Sequence, residues 1–180
     1  MSKKIVTSDV PAEPSTDQCS HTLSVFVNNT PGVLMRITQV FARRGFNIDS
    51  LVVSEGRDDR FSRMTIGITG SSNGLEQIIK QVSKLIDVIH CIQHGADDSV
   101  VKELVLIKIL INGTEARTSA LQVIDHFNGK TVDLTPESMI AMISGESAKL
   151  DSAIKMFGDF EIVETVRTGK VVMARGGATT

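Results

Sequence analysis

Hydrophobic and polar positions alternate along the chain in short patterns that predict strands and helices in turn. In residues 22–27, Leu23, Val25 and Val27 alternate with a second set that includes Phe26. A period of two is typical of a β-strand, and apolar residues in both sets indicate burial on both faces. We therefore expect the first strand to be apolar on each side.

A helix is predicted to begin near Pro31 and to end at residues 43–45. Pro is favoured at the first helical position, and the Asn and Thr before it are good capping residues. Two arginines followed by Gly45 are typical of a helix end. Apolar residues recur between these limits at helical spacing: Val33, Leu34, Ile37, Val40 and Phe41.

Three more strands and a second helix complete the first unit. The strands are predicted at residues 46–54, 61–69 and 88–93, and the helix lies before the last of them. The order β-α-β-β-α-β is the ferredoxin-like motif. The apolar face of the second helix is predicted to contain Leu75, Ile78, Ile79, Val82, Leu85 and Ile86.

The same order of elements begins again about 80 residues further on, which indicates a structural repeat. Strands are predicted at residues 104–111, 130–134, 138–144 and 160–167. The helices between them have apolar faces formed by Ala116, Ala120, Leu121, Ile124 and Phe127, and by Leu150, Ile154 and Phe157. We predict an α+β protein with two ferredoxin-like βαββαβ domains in tandem. The predicted division is a flexible tail (1–20), a first domain (21–95), a linker (96–101), a second domain (102–175) and a flexible tail (176–180).

The composition of the chain disfavours several classes of function. Apolar residues make up 41% and charged residues 22% of the 180 residues, as in ordinary globular proteins. A net charge of -2, with no Trp and no Tyr, disfavours nucleic-acid binding. No apolar run is long enough to cross a membrane, and the N-terminus has no apolar signal segment. Cys19 and Cys91 are too few for a disulfide framework, so we expect a reduced, cytoplasmic setting.

The turn at residues 29–34, Asn-Thr-Pro-Gly-Val-Leu, is the most informative stretch for chemistry. It is predicted to end a strand and begin a helix, where free backbone N–H groups attract a carboxylate. Gly32 lets a ligand approach the backbone closely, and the Asn29 amide both donates and accepts hydrogen bonds. These features suit a small zwitterion such as an amino acid. A well-capped helix without a ligand has the same local sequence, so the turn alone leaves both interpretations open.

The sequence resembles the small subunits of acetohydroxyacid (acetolactate) synthase, whose first domain is an ACT domain. The shared patterns are N-x-x-G-x-L at residues 29–34, R-G-F-N-I-D-S-L at residues 44–51 and S-R-M-T-I at residues 62–66. The end of the second predicted helix, residues 82–88, is also similar. The resemblance covers roughly residues 22–175.

This resemblance implies a non-catalytic regulatory subunit that binds a branched-chain amino acid, usually valine, between the ACT domains of a homodimer. It also implies activation and feedback inhibition of a large catalytic subunit, which would carry thiamine diphosphate, FAD and magnesium. The chain itself is then expected to hold no cofactor, metal or catalytic residue. Asn47 falls on a position expected to face the effector from the partner subunit. The full expected effector site is Asn29, Thr30, Pro31, Gly32, Val33, Leu34, Asn47 and Ile48.

Three other function classes remain as alternatives. A stand-alone ACT-type module for another amino acid would not require the second domain. An acylphosphatase-type enzyme would need an arginine in the turn after the first strand, whereas Arg36 lies inside the predicted helix. An RRM-like nucleic-acid binder would need aromatic residues on its strands. His90 and His94 lie on one face of a predicted strand, with Cys91 on the other, so they form no recognisable metal set.

Overall fold

The computed structural model describes residues 19–95, 97–177, 179 and 180. Most of the predicted N-terminal tail lies outside the described residues. The first six elements are β1 (Cys19–Asn28), α1 (Val33–Arg43), β2 (Ile48–Glu55), β3 (Phe61–Gly70), α2 (Ser72–Val82) and β4 (Val88–His94). They are followed by β5 (Ser99–Leu110), α3 (Gly113–His126), β6 (Lys130–Leu134), β7 (Ser138–Gly145), α4 (Ser147–Phe157), β8 (Ile162–Arg167) and β9 (Val171–Ala174).

Each half of the chain forms its own antiparallel sheet. The first sheet has the strand order β2-β3-β1-β4, and the second has the order β6-β7-β5-β8. β9 is additional and pairs with the first residues of β5. Both orders are those of the split βαβ unit. The predicted fold class, two ferredoxin-like βαββαβ domains in tandem, is therefore confirmed.

Each sheet packs one face against its two helices. In the first sheet the buried residues of β1, Leu23, Val25 and Val27, alternate as predicted and lie beside Met64 and Ile66 of β3. The period of two places them all on the helix side. The other members of this core are Val33, Ile37, Phe41, Ile68, Leu75, Ile78 and Val82. The second core has the same organisation around β5, β7, α3 and α4.

The other face of β1 is also buried, as predicted, but it is more polar than expected. Thr22 is 8% exposed and Ser24 is fully buried. The chain that follows β8 crosses this region, since Gly169 lies against β2 and the Thr180 carbonyl oxygen is 3.2 Å from His90 Nε2. Residues from the end of the second half therefore cover part of the first sheet.

Several element limits differ from the prediction, and backbone geometry explains the first. α1 begins at Val33 rather than near Pro31, because Gly32 has a φ of 80° and cannot be part of a right-handed helix. β2 begins at Ile48 rather than at residue 46. The Phe46 ring lies so close to the sheet and α2 that a Cβ at Gly74 would be 2.5 Å from it.

The remaining differences involve pairing between distant segments. β5 begins at Ser99, inside the predicted linker, because its first residues pair with the unpredicted strand β9. Thr180, assigned to a flexible tail, is 3% exposed, and its hydroxyl accepts a hydrogen bond of 2.8 Å from the Ala174 amide. Residues predicted for apolar helix faces but found outside the cores include Ile86, which follows the end of α2 and is 93% exposed. Leu34 and Leu121 are each 37% exposed.

Candidate functional site

The turn between β1 and α1 leaves the second and third amides of the helix without an acceptor among the described residues, and so open to a ligand. The Thr30 amide donates to the Asn28 carbonyl (2.9 Å) and the Val33 amide to the Thr30 carbonyl (3.3 Å). Gly32 is the N-cap residue, lies in the left-handed region and, as a glycine, provides no side-chain cap. Uncapped N–H groups at a helix start carry partial positive charge and favour an anion. Val33 is buried whereas Leu34 is exposed at the surface of this turn.

Asn29 is fixed by the turn between β2 and β3. Its amide N–H donates to the Arg60 carbonyl (2.7 Å), and its side-chain Nδ2 donates to the Asp59 carbonyl (2.9 Å). Among the described residues no donor is found for Asn29 Oδ1, which leaves this acceptor for an ammonium group. In the same turn, hydrogen bonds from Arg60 lower the pKa of Asp58 to about 2, so this carboxylate stays charged at physiological pH.

Two charged residues outside the predicted site complete this region. Arg36 Nε donates to Asp87 Oδ2 at 2.9 Å, and a second guanidinium nitrogen is 2.6 Å from the same oxygen. The Thr30 hydroxyl donates to the other carboxylate oxygen of Asp87 at 3.2 Å. Arg36 also lies beside Gly32, because a Cβ built there would be 3.3 Å from Arg36 Nη1. Asp87 thus positions a guanidinium next to the open amides.

No local sequence signal identifies this ion pair, because Arg36 and Asp87 are 51 residues apart and meet only in the folded domain. Arg36 resembles an ordinary exposed helix residue, and Asp87 resembles an ordinary turn residue. The ion pair is part of the approach to the predicted site.

Asn47 and Ile48 lie far from this turn within one chain. Ile48 pairs with Ile68 near one end of β3, whereas Asn28, next to the turn, pairs with Phe61 at the other end. The Asn47 side chain donates to Asp49 Oδ1 at 2.9 Å. The structure therefore brings together the predicted residues of the 29–34 turn and leaves the two β2 residues at the opposite end of the sheet.

The three residues considered for metal binding all lie on β4 but have different surroundings. His90 is stacked on Phe26, and Cys91 packs against the first core. Burial raises the pKa of the Cys91 thiol to about 12. Burial also lowers the pKa of His94. Within residues 19–95, 97–177, 179 and 180, no group of three or more His, Cys, Asp or Glu side chains is arranged to hold a metal ion. In the same residues no helix has both the length and the apolar character needed to cross a bilayer.

Comparison with protein families gives a match to each half of the chain. A family model described as the acetohydroxyacid synthase small subunit-like ACT domain matches residues 23–90. A second model, described as the small subunit of acetolactate synthase, matches residues 102–176. The two matches together extend over both ferredoxin-like domains.

Individual relatives give the same result. The acetolactate synthase small subunit of Mycobacterium leprae is 39% identical over 158 residues, covering 87% of this chain and 92% of the relative. A probable acetolactate synthase small subunit of Archaeoglobus fulgidus is 40% identical, covering 87% of this chain and 97% of the relative. The crystal structure of the acetolactate synthase small subunit from Thermotoga maritima superposes with a TM-score of 0.81 at 33% identity. That match covers 89% of this chain and 99% of the Thermotoga chain.

Proposed function

This chain belongs to the acetolactate synthase small-subunit family, and from that premise we propose that it is the regulatory subunit of the holoenzyme. It activates the large catalytic subunit and makes it sensitive to feedback inhibition by valine or another branched-chain amino acid. The open start of α1, with Gly32 in the left-handed region and Asn29 Oδ1 beside it, is the observation that carries this proposal.

The geometry of the turn suits the two charges of an amino acid. The effector carboxylate binds the amides at the start of α1, where the helix dipole and the Arg36 guanidinium both favour a negative charge. The ammonium group binds acceptors that include Asn29 Oδ1. Leu34, 37% exposed, offers an apolar wall for the branched side chain. The proposed effector-binding domain is residues 21–95.

We propose that a homodimer completes the site. Within one chain Asn47 and Ile48 lie at the opposite end of the sheet from residues 29–34, so both groups can contact one effector only if they come from different copies. A two-fold axis that brings the first domains together would form two equal sites. The proposed site is Asn29, Thr30, Pro31, Gly32, Val33 and Leu34 of one copy with Asn47 and Ile48 of the other.

The catalytic chemistry is proposed to belong to the large subunit, which would carry thiamine diphosphate, FAD and magnesium. Both cysteines of the small subunit are free thiols, which supports a reducing, cytoplasmic setting. The alternative of a stand-alone ACT module for another enzyme does not account for the family match over residues 102–176.

Reconstitution with the large subunit tests the proposed function. We expect the purified chain alone, supplied with pyruvate and all three cofactors, to form no acetolactate. The large subunit should gain activity when the chain is added, and valine, leucine or isoleucine should then inhibit the mixture. Calorimetric titration of the chain with each amino acid identifies the preferred effector. A large subunit whose activity and valine response are unchanged by the chain would contradict the proposal.

A further inference from the structure

Ser50 of β2 is held between two glycines, one from its own sheet and one from the other domain. On one side, a Cβ at Gly67 of β3 would collide with Ser50 Oγ. On the other side, a Cβ at Gly169 would be 3.2 Å from the Ser50 Cβ. The Ser50 side chain therefore fills a narrow space that exists only because both neighbours lack a side chain.

The approach of Gly169 to β2 extends beyond Ser50. A Cβ at Gly169 would be 2.8 Å from Val52 Cγ2 and 3.3 Å from the Leu51 amide nitrogen. The first distance is below the separation of any normal carbon–carbon contact. Gly169 thus sets how closely the segment after β8, residues 168–170, packs on the first sheet.

Residues 168–170 are tied firmly to the second domain. The Thr168 amide donates to the Leu104 carbonyl (2.9 Å), and the Leu104 amide donates to Thr168 Oγ1 (3.0 Å). The preceding residue, Arg167, binds the carboxylate of Glu103, whose side chain is 5% exposed, at 2.6 Å. Since both anchors are on β5, a displacement of this segment has to move the central strand of the second sheet.

The other side of the contact is close to the proposed effector site. β2 begins directly after Asn47 and contains an irregularity at Asp49, where the register with β3 shifts. Asp49 Oδ1 accepts from Asn47, and Asp49 Oδ2 accepts from Thr69 at 2.8 Å. A cavity of about 550 Å³ lies beside Asp49 and Ser50, between the two domains. An irregular strand next to open space can shift with less repacking than a strand in a closed core.

We propose that the contact of Gly169 with residues 50–52 transmits effector binding from the first domain to the second. An effector bound to Asn47 displaces the start of β2, and the strand shifts at Asp49. Residues 168–170 move with the strand because they are in contact with Ser50. The second domain then changes position relative to the first. This inference rests on the proposed function and names the contact through which that site acts.

The test separates effector binding from its consequence. Gly169→Ala places a methyl group against Val52 and Ser50. Gly177→Ala is the matched control, because a Cβ at Gly177 has no neighbour within 4 Å in the part of the chain that the structure describes. Valine affinity is measured by calorimetry on the full chain, and valine inhibition is measured on the holoenzyme. For Gly169→Ala we expect an affinity within about twofold of the parent and a concentration for half-inhibition raised at least about fivefold, the lower end of typical allosteric couplings. Gly177→Ala should match the parent in both measurements.

A second substitution distinguishes the contact from general damage. Val52→Ala removes Cγ2, the atom that the new Cβ of Gly169→Ala would contact too closely. The double variant should therefore recover most of the valine inhibition that Gly169→Ala loses. If Gly169→Ala fails to fold, Thr168→Val tests the other end of the route, because it keeps the shape of the residue and removes the hydroxyl bonded to Leu104. We expect it to bind valine normally and to transmit inhibition less strongly.

Each remaining outcome is decisive. Parent-like inhibition in Gly169→Ala overturns the coupling proposal and leaves the proposed function intact. Loss of valine binding in Gly169→Ala also overturns it, because the glycine would then belong to the effector site or its support. If the parent chain binds none of the three branched-chain amino acids, the proposed function is rejected, and this inference is rejected with it.

Discussion

Asn29 and Asn47 lie at opposite ends of the first sheet, although both are predicted to contact the same effector. The strand pairs that mark the two ends, Asn28 with Phe61 and Ile48 with Ile68, are separated by seven residues of β3. At a rise of about 3.3 Å per residue, this is a distance of roughly 23 Å. Since an amino acid is far shorter than this, a shared site must take the two asparagines from different copies of the chain.

A chain that lacks Asn29 and a chain that lacks Asn47 should therefore restore part of the valine binding when they are mixed. Asn29→Ala leaves an effector group without its partner, at a cost of roughly 1–3 kcal/mol, or about a five- to hundred-fold loss of affinity. Asn47→Ala should have a similar effect. In a mixture of equal amounts, half of the dimers are mixed, and each has one site with both asparagines. We expect about a quarter of the sites to bind valine with parent-like affinity when the mixture is titrated by calorimetry.

Each variant alone provides the control, together with thermal melts that show it is folded. The melts are needed because Asn29 also donates to the Asp59 carbonyl. Light scattering at micromolar concentration should show at least a dimer. A mixture that binds no better than its two components, or a monomer that binds valine fully, would contradict the shared site.

The sequence predicted the parts of the structure that depend on local periodicity. β1 was predictable because alternating residues such as Leu23 and Val25 must all point to one side of a strand. The 29–34 turn was predictable because Pro and Gly each restrict the backbone in a known way. Even here, the preference of Pro for the first helical position placed the start of α1 about two residues too early, since it does not give the sign of φ at Gly32.

Features that depend on contact between distant segments were not predictable in the same way. β9 is four residues long and is stabilised by pairing with β5, about 70 residues earlier in the chain. The burial of Thr180 and the ion pair of Arg36 with Asp87 likewise arise only once the segments have met. The crossing of Gly169 over β2 belongs to the same class. The periodicity of the sequence predicts the elements and their faces but not these contacts.

The partly buried His94 makes stability depend on pH. Burial, assisted by Arg63 and His90, lowers its pKa below 6.5, while Asp98 acts in the opposite direction. The unfolded chain then binds the proton more readily than the folded chain. The free energy of unfolding is therefore highest above about pH 6.5, and it falls as the pH drops through the folded-state pKa of His94. His94→Gln removes this contribution. We expect its melting temperature to fall less than that of the parent between about pH 8 and about pH 5.

Calorimetric melts of the parent chain and of His94→Gln at each pH measure this difference. Equal responses from His94→Gln and the parent would show that protonation of His94 is not coupled to unfolding.

The two cysteines should react with thiol reagents at very different rates. Cys19 is exposed at the start of β1, whereas burial raises the pKa of Cys91 to about 12. At pH 8 such a thiol is ionised to only about one part in ten thousand, and the thiolate is the reactive form. We expect one fast-reacting thiol in the native chain and two in denaturant, as counted by absorbance with an aromatic disulfide reagent. Cys19→Ser should lose the fast phase and Cys91→Ser should keep it; a fast phase in Cys19→Ser would contradict the burial of Cys91.

Gly32 offers a comparison that separates charge from shape at the proposed carboxylate site. Gly32→Asp and Gly32→Asn add side chains of nearly equal size, and both must adopt a φ of 80°, which Asp and Asn tolerate better than other residues. Only Asp adds a negative charge beside the amides that are proposed to bind the effector carboxylate. Because Arg36 Nη1 would be 3.3 Å from the new Cβ, an Asp side chain would also compete with the effector for this guanidinium. We expect valine affinity at least about tenfold weaker in Gly32→Asp than in Gly32→Asn, a difference of about 1.4 kcal/mol.

The two variants should melt at similar temperatures, and the holoenzyme with Gly32→Asp should remain activated but resist valine. If both variants fold and bind valine like the parent, the effector carboxylate does not lie at the start of α1.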